Sequence, residues 1–251
     1  MKTIVAGSVP CAVGMRSGDT SASMSVHGLC SKQYKEKTIH GIDISNWKAD
    51  FNPDAVPFDF LVVQATWGAG EFTGNGIVRG VWTGADARIQ RCIVLGKPFG
   101  YMHYIRGVGA EAEARFFTVN TLGYVHRGLP CVDWEAADNL AWNDVGYLDR
   151  FLGTYIALTR VKPLVYVQRS AMSAVAGIAA AHDCGLWVAQ YADDAPTGYQ
   201  QHPWNEDAYG CAMRQYSSHG RLPGYAGDLD LNVFYGDRTA WNKYVLAAPS
   251  V

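Results

Sequence analysis

From residue 39 onward, short apolar runs alternate with amphipathic stretches, and the chain then places three apolar runs in succession without a helix between them. The runs are Ile39–Ser45, Phe60–Thr66, Pro98–Tyr104, Gly128–Glu135, Pro163–Gln168, Gly185–Tyr191, Cys211–Tyr216 and Leu229–Phe234. Phe60–Thr66 is almost continuously apolar, as a strand covered on both faces requires. Between the runs, Trp82, Ala85, Ile89 and Ile93 recur at helical spacing and close at Gly96. Residues 110–122 read as a second helix with Ala112, Phe116 and Val119 inward. Val145, Leu148, Leu152, Tyr155 and Ile156 mark a third, and Ser170 is placed to cap a fourth over Ala171–His182. Gly74–Gly80 reads as loop. Alternation of this kind implies a parallel sheet with right-handed crossovers, and eight strands suffice to close a barrel. The expected fold is α/β, a modified TIM-like barrel of five βα units followed by three β-strands.

The barrel is expected over residues 39–240. Residues 1–38 are rich in Gly, Ser and Lys without sustained periodicity, and read as a leader or docking arm. Residues 241–251 read as a C-terminal tail. No run of about 20 apolar residues occurs, so no transmembrane helix and no membrane insertion are expected. The first apolar stretch is broken by Gly7, Ser8 and Pro10, which argues against a signal peptide. The net charge of −2 argues against a nucleic-acid binder and suits a neutral or polymeric substrate. The six cysteines include no Cys-x-x-Cys pair, so no zinc site is suggested. Most sit in apolar settings as buried thiols, while Cys11 and Cys30 could pair under oxidising conditions.

A barrel collects its active residues at the C-terminal ends of several strands. The polar residues there are Asp43, Ser45, Gln64, His103, Tyr104, Asp133, Glu135, Tyr166, Gln168, Gln190, Tyr191, Gln215, Asp230 and Asn232. Asp133 and Glu135 stand out. Two residues apart on one strand, they share a face with Cα atoms roughly 6.6 Å apart, while Trp134 points into packing. Such a pair suits a general acid beside a charge stabiliser, although a strand running into an acidic, helix-capping loop would look the same. With Asp43 and Asp230, four carboxylates would meet at one mouth, which points to a carboxylate-driven hydrolase.

These residues resemble a known family. Gly41-Ile-Asp-Ile-Ser45, Gln64-Ala-Thr66, Gly100-Tyr-Met-His-Tyr104, Asp133-Trp-Glu135, Pro163-Leu-Val-Tyr166, Leu186-Trp-Val-Ala-Gln-Tyr191 and Asp230-Leu-Asn-Val-Phe234 occur in the order of the glycoside hydrolase family 25 muramidases. These are the lysozymes found among phage endolysins and bacterial autolysins. The resemblance spans about residues 39–237 and implies a barrel of five βα units followed by three strands. It implies cleavage of the β-1,4 bond between N-acetylmuramic acid and N-acetylglucosamine in peptidoglycan. Glu135 matches the general acid/base and Asp133 its charge-stabilising partner. Asp43 and Asp230 match the two acids that orient that pair and the sugar, and Tyr166 matches a cleft tyrosine. Gln64, Tyr104, Gln190, Tyr191 and Gln215 complete the expected substrate-binding set. Family members are thought to retain configuration with help from the substrate's N-acetyl group, although inversion has also been argued; substrate assistance is an exception to the two-carboxylate rule. No cofactor and no metal are expected. A monomer is implied, acting on the wall after release through a phage holin or after secretion. The sequence departs from the family at Gln64, where lysine is usual, at Met102 for a tyrosine, and at Arg214 for a tryptophan.

Other readings compete. A non-catalytic wall-binding barrel would not need all four acids, and a hydrolase of chitin-like N-acetylglucosamine polymers would share them. Asp228-Leu-Asp230-Leu-Asn232 resembles the start of a calcium loop, but Val233 and Thr239 stand where glycine and glutamate are required. His103 has no partner at metal-ligand spacing and reads as a hydrogen-bonded structural histidine. Asp138 and Asp144 read as loop or capping acids. Of the eight tryptophans, Trp67 and Trp204 are the candidates to line a sugar groove.

Overall fold

The computed structural model describes residues 38–246, and in it every predicted run is a strand. Eight of them are β1 (Ile39–Ile44), β2 (Phe60–Trp67), β5 (Phe99–Tyr104), β6 (Leu129–Trp134), β7 (Leu164–Gln168), β8 (Leu186–Ala189), β9 (Met213–Gly220) and β10 (Leu229–Phe234). They close a barrel in the order β1-β10-β9-β8-β7-β6-β5-β2, with β2 returning to pair with β1. The helices α1 (Ala85–Val94), α2 (Ala110–Thr121), α3 (Val145–Thr159) and α4 (Met172–Ala181) cover the crossovers from β2 through β8. The crossover from β1 to β2 holds only a 3-10 turn, Asn46–Lys48. The leader up to residue 37 and the Cys11–Cys30 pairing lie outside the described residues.

The barrel strands from β1 to β9 run parallel, but β10 is antiparallel to both neighbours, β9 and β1. The reversal has a consequence for the site. Asp230 stands at the start of its strand, yet it pairs in register with Asp43 near the end of β1. An acid at the beginning of an antiparallel strand thus reaches the same mouth as acids at the ends of parallel ones.

Side chains alternate between two cores. Phe60, Val62, Met102, Leu129, Cys131, Leu164, Trp187, Met213 and Phe234 fill the barrel. Ile42, Ile44, Leu61, Val63, Tyr101, Val132, Trp134, Val165 and Val167 face outward into the layer beneath the helices. Burying each large side chain contributes about 1.5–3 kcal/mol. The barrel core includes Trp241 and Val245 from α5 (Arg238–Val245), which Asp237 caps through Ala240 N. Trp241 packs on Phe60 and Phe234 at 4.8 and 5.2 Å between ring centroids. A boundary at residue 240 therefore cuts through a packed helix. Cys92, Cys131 and Cys184 are buried free thiols, as their apolar settings suggested.

Local expectations are corrected in the segment 74–82, on the face of α2 and at Ser170. Gly74–Gly80 is not all loop: β3 (Ile77–Val78) and β4 (Val81–Trp82) form a small hairpin against Thr66 of β2, so Trp82 precedes α1 rather than opening it. In α2 the inward face is Ala110, Glu113, Ala114, Phe117 and Thr121; Ala112 is exposed, Phe116 half-buried and Val119 73% exposed. Glu113 is drawn inward by buried donors, which turns the helix by about one position. Ser170 does not cap α4, whose first turn follows a 3-10 turn over Arg169–Ala171 and carries no side-chain cap. Gly41 is required by packing: a Cβ there would lie 2.4 Å from both the ring and the carbonyl of Phe60. Gly41→Ala is expected to destabilise the barrel by about 1–3 kcal/mol, through overpacking against backbone that cannot retreat. Thermal melting checks it, and an unchanged melting temperature would contradict this reading of the β1–β2 packing.

Candidate active site

The barrel's inner face selects the site residues by parity. Asp43, Gln64, Met102, Tyr104, Asp133, Glu135, Tyr166, Tyr191, Gln215 and Asp230 continue the inward positions of their strands and line one cleft of about 390 Å³. Ser45, Trp47, Trp67, Ala137 and Asp138 complete its wall. Trp67 reaches the cleft because β2 slips register between Gln64 and Thr66 against β5. Strict alternation would turn Trp67 away from Gln64's side; a bulge re-aims the side chains beyond it. Trp67 then stacks on Phe72 and packs against Tyr104 at the rim. Trp47 stands at the opening, 69% exposed.

Gln190 is not brought to the cleft. It neighbours the inward Ala189 and Tyr191 and so takes the outward parity, where its side chain meets Asn205 Nδ2 at 3.4 Å. Arg214 is outward too, between inward Met213 and Gln215, and its Nη2 donates to the carbonyls of Gln190 and Trp204. Of the three departures from the family pattern, only Gln64 and Met102 therefore touch the cleft. Trp204 is exposed and is not part of the wall. His103 faces outward and is fully buried, bonded to Thr66 Oγ1 at 2.9 Å and Glu113 Oε2 at 3.0 Å. It is a structural histidine, as expected.

Asp43 is held by two amides whose orientation is dictated from behind. Tyr166 and Tyr191 hydroxyls donate to Gln215 Oε1 at 2.8 and 2.5 Å, which leaves Gln215 Nε2 to donate to Asp43 Oδ1 at 2.8 Å. Trp187 Nε1 donates to Asn232 Oδ1 at 2.8 Å, so Asn232 Nδ2 donates to the same Asp43 oxygen at 2.6 Å. Even so, burial dominates and pushes Asp43 up to about 6, with Glu135 adding repulsion. Asn232 was one of many polar strand-end residues in the sequence, and only the pairing of β10 with β1 shows what it holds.

The pair on β6 differs in surroundings. Asp133 is buried and its Oδ1 has no hydrogen-bond partner. Burial first, then the charges of Glu135 and Asp43, raise its pKa well above the carboxylate range. Glu135 follows the last residue of β6 and is half-buried. Burial raises its pKa as well, opposed by the Tyr166 hydroxyl within hydrogen-bonding reach. Asp230 is raised by burial and by Asp43, and partly relieved by Lys48. Burial raises all four carboxyls above their ordinary values, and mutual repulsion adds to it at Asp43, Asp133 and Asp230. The Tyr104 hydroxyl donates to Ala137 O and so ties down the segment after Glu135. Among the described residues, no three His, Cys, Asp or Glu side chains converge to hold a metal ion.

An open cleft with a protonated carboxyl beside a second acid can protonate a leaving oxygen and steady the positive charge that follows. Comparison with known proteins is consistent with that chemistry. Among curated sequences, an uncharacterized protein YegX of Escherichia coli K12 is 27% identical over 217 residues, covering 79% of this chain and 70% of its own. Among solved structures, GHIP of Streptococcus pneumoniae, a glycosyl hydrolase 25, superposes with a TM-score of 0.65 at 18% identity, over 87% of this chain and 96% of that one. A lysozyme of Streptomyces coelicolor gives 0.61 at 21% identity, over 82% and 96%. The catalytic domain of endolysin ply40, from bacteriophage P40 of Listeria monocytogenes, gives 0.59 at 20%, over 82% and 97%. These likenesses establish the shared barrel. Residues 42–225 match the profile of the Glycosyl hydrolases family 25, a span that takes in Asp43, Asp133 and Glu135. The chain belongs to glycosyl hydrolase family 25.

Proposed function

We propose that this enzyme is a peptidoglycan hydrolase, an N-acetylmuramidase that cleaves the β-1,4 bond between N-acetylmuramic acid and N-acetylglucosamine. The observation that carries the reading is the Asp133–Glu135 pair at the end of β6, both carboxyls raised by burial, inside a cleft that Asp43 and Asp230 also line. Glu135 is the more accessible of the two and serves as the acid that protonates the glycosidic oxygen. Burial and the neighbouring carboxylates raise the pKa of Asp133 and make its charge responsive to charge on the substrate. As the anion, Asp133 stabilises the positive charge that develops on the sugar. Asp43, fixed by Gln215 and Asn232, orients the substrate with Asp230. The exposed Trp47 offers flat apolar surface to a sugar ring at the cleft opening, and Trp67 forms part of the wall. The likeness to a lysozyme and to an endolysin domain supports the wall glycan as substrate.

The enzyme acts as a monomer in this reading. The bacterial wall is then the site of action, reached by release through a phage holin as an endolysin would be, or by secretion. Digestion of purified peptidoglycan, with mass spectrometry of the new reducing ends, tests the reading. Muramic acid at those ends is expected. Glucosamine ends, or cleavage of chitin in preference to peptidoglycan, would overturn it.

A further inference from the structure

Behind the cleft, on the outer face of β5, one carboxylate is surrounded by donors that the chemistry above does not use. Glu113 of α2 is fully buried. Its Oε1 accepts from the Tyr147 hydroxyl and from Val108 N, both at 2.8 Å. Its Oε2 accepts from Arg106 N at 3.0 Å and meets His103 Nε2 at the same distance. Burial alone would raise its pKa; the His103 bond and charge, with Val108 and Tyr147, hold it below the usual carboxylate range. The Tyr147 hydroxyl in turn accepts from Gly109 N at 2.8 Å. Three donors of the turn after β5 are thus gathered on one carboxylate and its phenol partner.

That turn touches the segment carrying the acid. Arg106 O accepts from Leu140 N at 2.9 Å, and a Cβ on Gly107 would lie 2.4 Å from Ala141 N. Ile105 N donates to Asp133 O at 3.2 Å, and Tyr104, directly before it, bonds Ala137 O. Arg106 also lays its guanidinium over Trp67 and Phe72, at 5.5 and 5.9 Å from the ring centroids. The 105–109 turn therefore braces the chain on both sides of Glu135 and one aromatic wall of the cleft.

We propose that Glu113 is a positioning residue for catalysis, holding the 105–109 turn so that the segment 135–141 keeps Glu135 aimed into the cleft. The inference rests on Glu135 being the acid, as proposed above. A glutamine side chain at position 113 is nearly isosteric but cannot accept on both sides. Whichever way its amide lies, an NH2 faces either Val108 N–H or Arg106 N–H, so one turn contact becomes a donor–donor clash.

The test is peptidoglycan cleavage by the full chain carrying Glu113→Gln, alone and combined with Tyr104→Phe, which removes the other brace on the same segment. Glu113→Gln is expected to lower kcat by about 10–100-fold, the scale of a small misplacement of a reacting group, with KM changed by less than about twofold. Leu140 N–H should exchange with solvent faster. Because both braces act on one segment, the double variant should lose less than the product of the single losses. A merely structural role would leave kcat per folded molecule unchanged and Leu140 exchange as in the wild type, and either result overturns the inference. If Glu113→Gln does not fold, Tyr147→Phe supplies the readout. It removes one donor to Glu113 and should lower kcat by about 3–10-fold at constant KM; wild-type kcat there also overturns the inference. Loss of activity in the wild type itself would instead count against the functional reading, so the two failures are distinguishable.

Discussion

Glu135→Gln is expected to abolish nearly all glycan cleavage, lowering kcat by roughly a thousandfold, within the range that a positioned general acid contributes. Glutamine keeps the size and the hydrogen-bonding reach to Tyr166 but has no proton to give at the leaving oxygen. The fold should be unaffected. Glu135 is half-buried at a strand end, and its removal relieves repulsion on Asp43, Asp133 and Asp230. Release of reducing ends from peptidoglycan, measured beside circular dichroism and thermal melting, checks both halves. A folded Glu135→Gln variant with wild-type turnover would remove Glu135 from the mechanism. The binding of glycan fragments should persist, because Trp47, Trp67 and the Asp43 amide network are untouched.

Asp133→Asn should separate activity from stability in opposite directions. Turnover is expected to fall by about 100-fold or more, since an amide cannot become the anion that steadies a cationic sugar. Stability should rise at neutral pH. The sign follows from linkage. A carboxyl whose pKa is higher folded than unfolded binds more protons in the native state, so its contribution to stability falls as pH rises from the unfolded value toward the folded one. Above that window the buried charge is a net cost, worsened by an Oδ1 without a partner. Asn carries no such cost. A gain of about 2–4 °C in melting temperature at pH 7 corresponds to roughly 1 kcal/mol in a domain of this size. The gain should vanish near pH 3, where Asp133 is protonated in both states. Melting curves at the two pH values decide it: an equal or lower melting temperature for the variant at pH 7 contradicts the burial argument. The wild type should likewise be more stable at pH 5 than at pH 7 to the extent that Asp43, Asp133, Glu135 and Asp230 dominate its titration.

Much of the fold was legible because it is written in local periodicity. A run such as Phe60–Thr66 is too apolar to face water and too short to be a helix, and eight such runs in that order leave little besides a barrel. The same-face geometry of Asp133 and Glu135 was equally legible, since it follows from the two-residue repeat of any strand. Continued past the end of β8, the same repeat separates Gln190 from Tyr191, and of the two only Tyr191 lines the cleft. Trp67 was not decidable this way, because a bulge between Gln64 and Thr66 shifts the repeat and nothing in Gln-Ala-Thr announces it.

What the sequence determined by itself was the number of barrel strands, their order and the pairing of acids within one strand, all of which depend on neighbours a few residues apart. Only the tertiary structure decided that β10 runs backward and brings Asp230 level with Asp43, far away in the chain. Only it showed that Asn232 and Gln215 converge on one oxygen of Asp43, and that Glu113 turns α2 inward to meet His103. These are contacts between distant segments. Their energies come from desolvation and hydrogen-bond partners that exist only once the barrel has closed.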